Sequence, residues 1–258
     1  MRVGIVTISW NQAGYLQPAI DSVNLAGPGD LAYVMVDPGS TDGSREIIER
    51  NRQRFRRIIL EPDRGPADGL NKGFAACDAD VYGYINSDDS FSPGALDYVT
   101  GYFRDHPQID LLFGAIRIID ERGRPSFRGR APDRMDARRF AAGACFAWQQ
   151  ATFFRRELFE RVGGFNPETR VIWDAELVLK MLLAGARIGY TNAILGNFRI
   201  YPASITGSGR LAEAERQVYE RFARLAPMPP LQARFERLKY KLNPARHLRC
   251  AFGIHPVL

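Results

Sequence analysis

Val81-Tyr82-Gly83-Tyr84-Ile85-Asn86-Ser87-Asp88-Asp89-Ser90 is the stretch that decides how this chain is read. Val81 to Ile85 is an apolar strand that ends in two adjacent carboxylates, followed by a turn at Pro93-Gly94. Open α/β sheets bind ligands at strand ends. Two hard oxygen ligands there suit Mg²⁺ or Mn²⁺, and a divalent ion at that place points to a phosphorylated substrate. Asp also favours turns, so one of the pair can cap the turn while the other holds metal.

The flanking sequence repeats the strand-then-polar pattern. Val3–Ser9 is an apolar strand of the kind buried on both faces. Leu16, Ile20 and Val23 then recur at helical spacing. Leu31–Val36 is a second strand, stopped by Asp37-Pro38-Gly39-Ser40-Thr41-Asp42-Gly43-Ser44, and Arg45–Phe55 reads as a helix. Arg57–Leu60 is a third strand, closed by Pro62-Asp63-Arg64-Gly65, and Asp68–Ala76 a short helix. This alternation predicts an α/β fold with a mostly parallel, doubly wound sheet and right-handed crossovers. Trp10-Asn11, Asp37, Asp63-Arg64 and Asp88-Asp89 then fall at one sheet edge, the expected ligand crevice.

Further on, Leu111–Ile119 reads as a strand and Asp120–Asp133 as a charged loop. Asp136–Ala144, Thr152–Val162, Trp173–Ala184 and Leu211–Leu225 read as helices. After Pro227, Pro229 and Pro230 a last basic helix covers Leu231–Leu242.

The 258 residues, 45% hydrophobic and 25% charged, suit one main domain with an appendage. The first residues have no signal-peptide pattern, and no apolar run is long enough to span a bilayer. Cys77, Cys145 and Cys250 are too scattered for a zinc site or a disulfide framework, which favours a reducing cytoplasm. From Arg210 onward there are 10 Lys/Arg against 4 Asp/Glu, so the net charge of +6 belongs wholly to the C-terminal segment. Such a segment can meet anionic lipid or nucleic acid, or form a solvated helical face. The neutral body has no basic stripe and no nucleic-acid module, so no nucleic-acid partner is expected.

Three further features bear on chemistry. Asp37 can accept a hydrogen bond from a base or ribose, or simply close an Asp-Pro-Gly turn. Asp174 and Glu176 precede an apolar helical run, where a carboxylate can serve the helix dipole or act as a general base. There is no P-loop and no Gly-x-Ser-x-Gly elbow. Gly207-Ser208-Gly209-Arg210-Leu211-Ala212 matches a dinucleotide fingerprint only loosely and outside a βαβ unit. His106, His247 and His255 are isolated.

Seven stretches in order resemble the family 2 glycosyltransferases of GT-A fold. They are Val36–Ser44, Glu61-Pro62-Asp63-Arg64-Gly65, Asn71-Lys72-Gly73, Asn86-Ser87-Asp88-Asp89, Phe153-Phe154-Arg155-Arg156, Val162-Gly163-Gly164-Phe165-Asn166 and Trp173-Asp174-Ala175-Glu176. The resemblance covers roughly residues 3 to 205; each motif is weak alone and the ordered set is specific. It implies a metal-dependent, inverting hexosyl or other glycosyl transfer from a UDP-, GDP- or dTDP-sugar to a hydroxyl acceptor, in cell-surface glycan or polysaccharide biosynthesis. It implies Asp37 and Trp10 at the nucleotide, Asp63, Asp68 and Lys72 around nucleotide and donor, and Asp88 with Asp89 at ribose and metal-diphosphate. It makes Asp174 the catalytic base and Glu176 its support. Residues 1–209 would be the catalytic domain, with 1–120 on the donor side and 121–209 on the acceptor side, and 210–258 a helical extension. The chain departs from the pattern twice. Pro38 stands where many members have a second acid, which leaves the nucleotide open. Tyr201 stands where many have a metal-ligating histidine, and a phenol of pKa about 10 is a poor ligand for these ions.

Leu231, Phe235, Leu238 and Leu242 share one face of the last helix, with basic residues around them. Such a helix can lie in a membrane interface, which would suit a lipid-linked glycan acceptor and a peripheral place on the inner face of the cell membrane. The alternative is packing of that face on the catalytic domain or on a second copy in a homodimer. Two competing functions are a sugar-1-phosphate nucleotidyltransferase, which lacks its Gly-rich basic loop after the first strand here, and a non-catalytic scaffold that binds sugar nucleotide.

Overall fold

β1 (Val3–Ile8), β2 (Leu31–Val36), β3 (Arg57–Ile59) and β4 (Val81–Asn86) lie parallel in the order β3-β2-β1-β4. The computed structural model describes residues 1–25, 31–132, 134–208 and 212–242. α1 (Ala13–Leu25), α2 (Ser44–Arg50) and α3 (Pro66–Ala75) fall between these strands. The sheet continues through β5 (Ser90–Phe91), β6 (Leu111–Ile119), β8 (Thr152–Arg155) and β9 (Ile188–Arg199) in the full order β3-β2-β1-β4-β8-β6-β9-β5, and β7 (Pro125–Gly129) pairs with β6. β8 is antiparallel to β4 and β6, and β9 is parallel to β6. β1, β2, β3, β4, β6 and β9 therefore point one way, and β5, β7 and β8 the other. The α/β, mostly parallel architecture expected from the sequence is present.

Strand alternation divides the core between the two faces of the sheet. Tyr33 and Met35 pack with Leu16, Ile20 and Ile48 of α1 and α2, and with Leu96, Val99 and Phe103 of α4 (Ala95–Asp105). Val34 and Val36 pack on the other side with Leu70 and Phe74 of α3. That layer also holds α5 (Ala137–Ala141), α6 (Arg156–Arg161) and α7 (Trp173–Leu183). Phe74, Tyr84, Phe165 and Trp173 form an aromatic chain in it; Phe165 is T-shaped to Trp173 at 5.5 Å, and Tyr84 lies 5.7 Å from Trp173. This chain joins the end of β4 to the start of α7.

Three sequence expectations change. The single helix expected over Thr152–Val162 is strand β8 followed by α6. Phe153 and Phe154 are both fully buried, one in each face's cluster, which a two-residue period permits and a helix does not. The loop expected over 120–133 contains β7. β9 has no counterpart in the sequence reading, because Gly189, Asn192, Gly196 and Asn197 interrupt its apolar pattern; its register against β6 shifts twice, between Phe113 and Ile116.

α8 (Ile205–Ser208), α9 (Ala212–Leu225) and α10 (Pro230–Leu242) follow. Phe222 of α9 is fully buried, and Val218, Tyr219 and Tyr240 pack against the α3–α7 layer. The C-terminal helices are thus seated on the α3–α7 layer. α10 docks through Ala233 and a Glu236–Arg139 ion pair of 3.4 Å. The alternative that its Leu231, Phe235, Leu238 and Leu242 face packs on the catalytic domain is overturned, since all four are exposed. Asp133, Gly209-Arg210-Leu211 and the tail with His247, Cys250 and His255 lie outside the described residues. Among the described residues no helix is long and apolar enough to cross a membrane.

Asn71 locks the two halves together. Its Nδ2 donates to Phe165 O and its Oδ1 accepts from Phe165 N, both at 2.9 Å. Gly163 and Gly164 make this possible with φ of 71° and 62°, and a Cβ on Gly164 would stand 2.7 Å from Asn71 Oδ1. Asn71→Ala leaves both backbone groups of Phe165 unpaired and should cost about 2 kcal/mol in urea denaturation, with Asn71→Asp also destabilising because a carboxylate cannot donate.

Candidate active site

The ends of β1, β2, β3 and β4 bring Trp10, Asp37, Asp63 and Asp88 to one edge, because the strands are parallel and in register. At the β2 end Asp37 is fully buried. Its Oδ1 accepts from Ser40 N (2.8 Å), Gly39 N (3.1 Å) and Arg45 Nε (3.2 Å). Its Oδ2 is buried with no protein partner, and so is Ser9 Oγ just past the end of β1. One carboxylate thus closes the turn and keeps a second acceptor unspent. Trp10 is 59% exposed, with its ring edge over Gly39 of the same turn. Asn11 N donates to Ser40 Oγ (2.8 Å), and Asp42 Oδ2 accepts from Ala13 N (2.8 Å), so the β1 and β2 loops hold each other.

Asp63, Asp68 and Lys72 gather at the start of α3. Asp63 accepts from Gly65 N (2.8 Å), and burial raises its pKa above the ordinary carboxylate range. Burial also acts on Asp68, but the Arg64 amide and the Lys72 and Arg64 charges outweigh it and hold this carboxyl low. Lys72 Nζ donates to Pro62 O (2.7 Å) and lies 3.5 Å from Asp68.

Asp88 and Asp89 take different roles. Asp89 is 2% exposed; its Oδ1 accepts from Arg199 N (3.0 Å) and its Oδ2 from Gln150 Nε2 (2.8 Å). Burial, then the charge of Asp88, pushes its pKa well up. Asp88 is half-buried, and its Oδ2 accepts from Tyr201 Oη (3.2 Å). Burial raises Asp88 too, opposed by hydrogen bonds from Tyr201 and Gln12 and by the Arg199 charge. Burial and the Asp88 charge push the Tyr201 phenol up, so it remains a donor. The tyrosine at the expected histidine position therefore holds Asp88 in place and does not offer a metal ligand. Among the described residues no group of three or more His, Cys, Asp or Glu could hold a metal ion by itself.

Arg199, 6% exposed, ties this edge together. It donates from Nε to Asp88 O (2.8 Å) and from Nη1 to Asp120 O and Glu121 O (both 3.0 Å), and its guanidinium lies 4.9 Å over the Tyr15 ring. The sequence reading assigns no role to Arg199, Gln150 or Ser9. Gln149-Gln150, two amides inside the apolar run from Phe146 to Phe154, was the available signal.

Asp174 and Glu176 open α7. The preceding Ile172 is left-handed (φ 46°), a conformation that costs a β-branched residue about 1–2 kcal/mol. Trp173 then packs on Tyr84, Arg170 reaches Gly65, and Glu168 lies 3.5 Å from Arg64, so α7 begins beside the end of β4 and the loop before α3. Burial pushes the Asp174 carboxyl up, against hydrogen bonds from its own amide and that of Ala175. Its charge in turn raises Glu215 and Tyr219 of α9, after burial in each case. Glu176 Oε1 meets Arg221 of α9 (3.2 Å) and accepts from Asn166 Nδ2 (3.3 Å), while Oε2 is buried without a partner. Asp174 thus lies near Tyr84, Glu215 and Tyr219, in a layer in which Glu176 is committed to holding α9 and the Asn166 turn. Glu215, Tyr219 and Arg221 sit in the polar extension, where sequence gave no reason to look for them.

The sequence profile of glycosyl transferase family 2 matches residues 4–163. The chain belongs to glycosyl transferase family 2. An uncharacterised glycosyltransferase of Nostoc sp. is 24% identical over 226 residues, 84% of this chain and 70% of that protein. A PGL/p-HBAD biosynthesis glycosyltransferase of Mycobacterium tuberculosis is 28% identical over 176 residues, 66% of each chain. In fold, this glycosyltransferase is similar to S. aureus TarS (residues 1–349, with UDP-GlcNAc) at TM-score 0.68 and 16% identity, covering 99% of this chain and 77% of that one. It is also similar to the mannosyltransferase PcManGT of Pyrobaculum calidifontis, with GDP-Man and Mn²⁺, at TM-score 0.67 and 17% identity, covering 99% and 76%. The GT-A fold expected from the motifs is therefore present.

The two carboxylates separate by variant. Asp89→Ala strands the Arg199 amide and the Gln150 side chain and should lower stability by about 2 kcal/mol. Asp88→Ala, on a half-buried side chain whose partners Tyr201 and Gln12 both lie at the open sheet edge, should cost less than Asp89→Ala and lower the melting temperature by only a few degrees.

Proposed function

We propose that this family 2 enzyme transfers a sugar, with inversion, from a nucleoside-diphosphate sugar to a hydroxyl acceptor. The observation that carries the reading is the unspent Asp37 Oδ2, buried beside exposed Trp10 and in line along the sheet edge with Asp88. A buried acceptor without a partner requires an explanation, and a base N–H or ribose hydroxyl entering beside the Trp10 ring supplies one. The α3 start, with Asp63, Asp68 and Lys72, borders the donor.

Asp88 is the residue to hold Mg²⁺ or Mn²⁺. Both Asp89 oxygens already take protein donors, so Asp89 serves as its anchor. One available carboxylate fits these ions, which use one or two carboxylates and complete their shell with substrate phosphate and water. The ion would stabilise charge on the departing diphosphate. Asp174 takes the proton from the acceptor hydroxyl, whose oxygen bonds to the anomeric carbon as the carbon–oxygen bond to diphosphate breaks. Its raised pKa improves it as a base. Glu176 keeps α7 against α9. The nucleotide-sugar complexes of TarS and PcManGT support the donor class, and the mycobacterial relative, named for PGL biosynthesis, supports a role in cell-surface glycan or polysaccharide assembly.

Thermal shift with UDP-, GDP- and dTDP-sugars, each with Mn²⁺, Mg²⁺ or EDTA, tests the donor site, since a ligand of the folded state raises its melting temperature. One nucleotide should give a metal-dependent shift that Asp88→Ala removes. No shift with any donor would favour the scaffold function. Asp174→Asn should keep that shift and lose about 10²-fold or more in transfer rate. Asp174 must be ionised to act. Because burial raises its pKa, kcat/KM should fall with decreasing pH through a value above the ordinary Asp range; a rate insensitive to pH down to that range would contradict the assignment.

A further inference from the structure

α10 has two faces. Ala233, Glu236 and Tyr240 turn toward the body of the molecule, with Glu236 paired to Arg139. Helical spacing puts Leu231, Phe235, Leu238 and Leu242 on the opposite side, and they are 83%, 55%, 50% and 58% exposed. The other large apolar side chains exposed among the described residues are spread over separate elements. The stripe is bordered by exposed Arg234 and Lys241 on one side and Lys239 on the other, with Lys239 Nζ 4.4 Å over the Phe235 ring. The helix's one acid, Glu236, is turned inward between Arg139 and Lys239, which lies 3.8 Å from it, so the side chains beside the stripe are cations. Arg246 and Arg249 extend this in sequence, with no Asp or Glu after Glu236.

We propose that α10 is an interfacial helix that lays this stripe into an anionic lipid surface. Apolar side chains on one face with Lys and Arg at both margins is the arrangement such helices use: the chains enter the acyl boundary while the cations reach the headgroups. Self-pairing of two copies through the stripe would bring Arg234, Lys239 and Lys241 of each together, and like charges oppose that contact. The docked face fixes where the lipid would lie. Glu236 holds α10 to α5, and α5 packs on α7, which carries Asp174. The lipid-facing helix is therefore joined through α5 to the element that carries Asp174, and a place beside the acceptor rests on the role proposed for that residue. Lipid binding itself rests on the exposed stripe and cations of α10 and is independent of the donor chemistry.

Co-sedimentation of the full chain with phosphatidylcholine vesicles, with and without phosphatidylglycerol, tests it at low and high salt. The protein should bind the phosphatidylglycerol vesicles, lose binding at high salt, and bind pure phosphatidylcholine weakly. Phe235→Glu/Leu238→Glu should lower vesicle affinity at least about tenfold with an unchanged melting temperature. Lys239→Gln/Lys241→Gln should lower it severalfold, a variant that leaves the apolar stripe intact. Absence of binding by the folded protein, or binding undiminished by Phe235→Glu/Leu238→Glu, overturns the proposal. So does a dimer, seen by light scattering, that the same double variant dissociates while vesicles fail to bind.

Discussion

The buried carboxylate of Asp89 is the fastening on which the edge of the sheet at the end of β4 depends. It lies one residue beyond the half-buried Asp88 and accepts from the backbone of β9 and from the Gln150 side chain just before β8. Three elements distant in sequence are thereby fixed at one point. A carboxylate so deeply placed is expensive to ionise, and its pKa rises accordingly. Arg199 offsets the local negative charge, yet its guanidinium donates to the carbonyls of Asp88, Asp120 and Glu121, so it organises backbone without capturing the Asp88 side chain.

That frame separates roles that are adjacent in sequence. Asp88 is half-buried and held by Tyr201 and Gln12; Asp89 is buried. The same division recurs in α7, where Asp174 is raised by burial and Glu176 is tied to Arg221 and Asn166. In both pairs one carboxylate is tied into the frame, and the proposed function gives the chemistry to its neighbour. The Asn71–Phe165 clamp and the aromatic chain from Tyr84 to Trp173 hold the two pairs in one body, and the left-handed Ile172 sets where α7 begins.

The parallel strands β1 to β4 were legible in the sequence because apolar runs with polar ends bring those ends to one edge by rule. Asp37, Asp63 and Asp88 needed only that rule to be brought to one edge. Phe153-Phe154 was misread because an apolar run bounded by charges suits either period, and burial on both faces of the sheet settled it as a strand. β9 was invisible because its glycines and asparagines serve bulges and side-chain bonds such as Asn197 to Ser90, which no local pattern announces. Arg199, Gln150 and Asn71 were missed, or quoted without a role, for a common reason. Their partners lie between 61 and 111 residues away, a relation only the folded chain displays. Tyr201 was noticed as a departure from the family, and its phenol proved to be the support of Asp88.

The central claim is that Asp88 serves the ion and donor while Asp89 serves the frame. Anomalous diffraction at the manganese edge, from crystals holding Mn²⁺ and the matching nucleoside diphosphate, tests it most directly. The account predicts one peak bound to an Asp88 oxygen and to diphosphate, with Asp89 still bonded to Arg199 and Gln150. A peak held by Asp89 in place of those donors, or by Asp174 and Glu176, would contradict it.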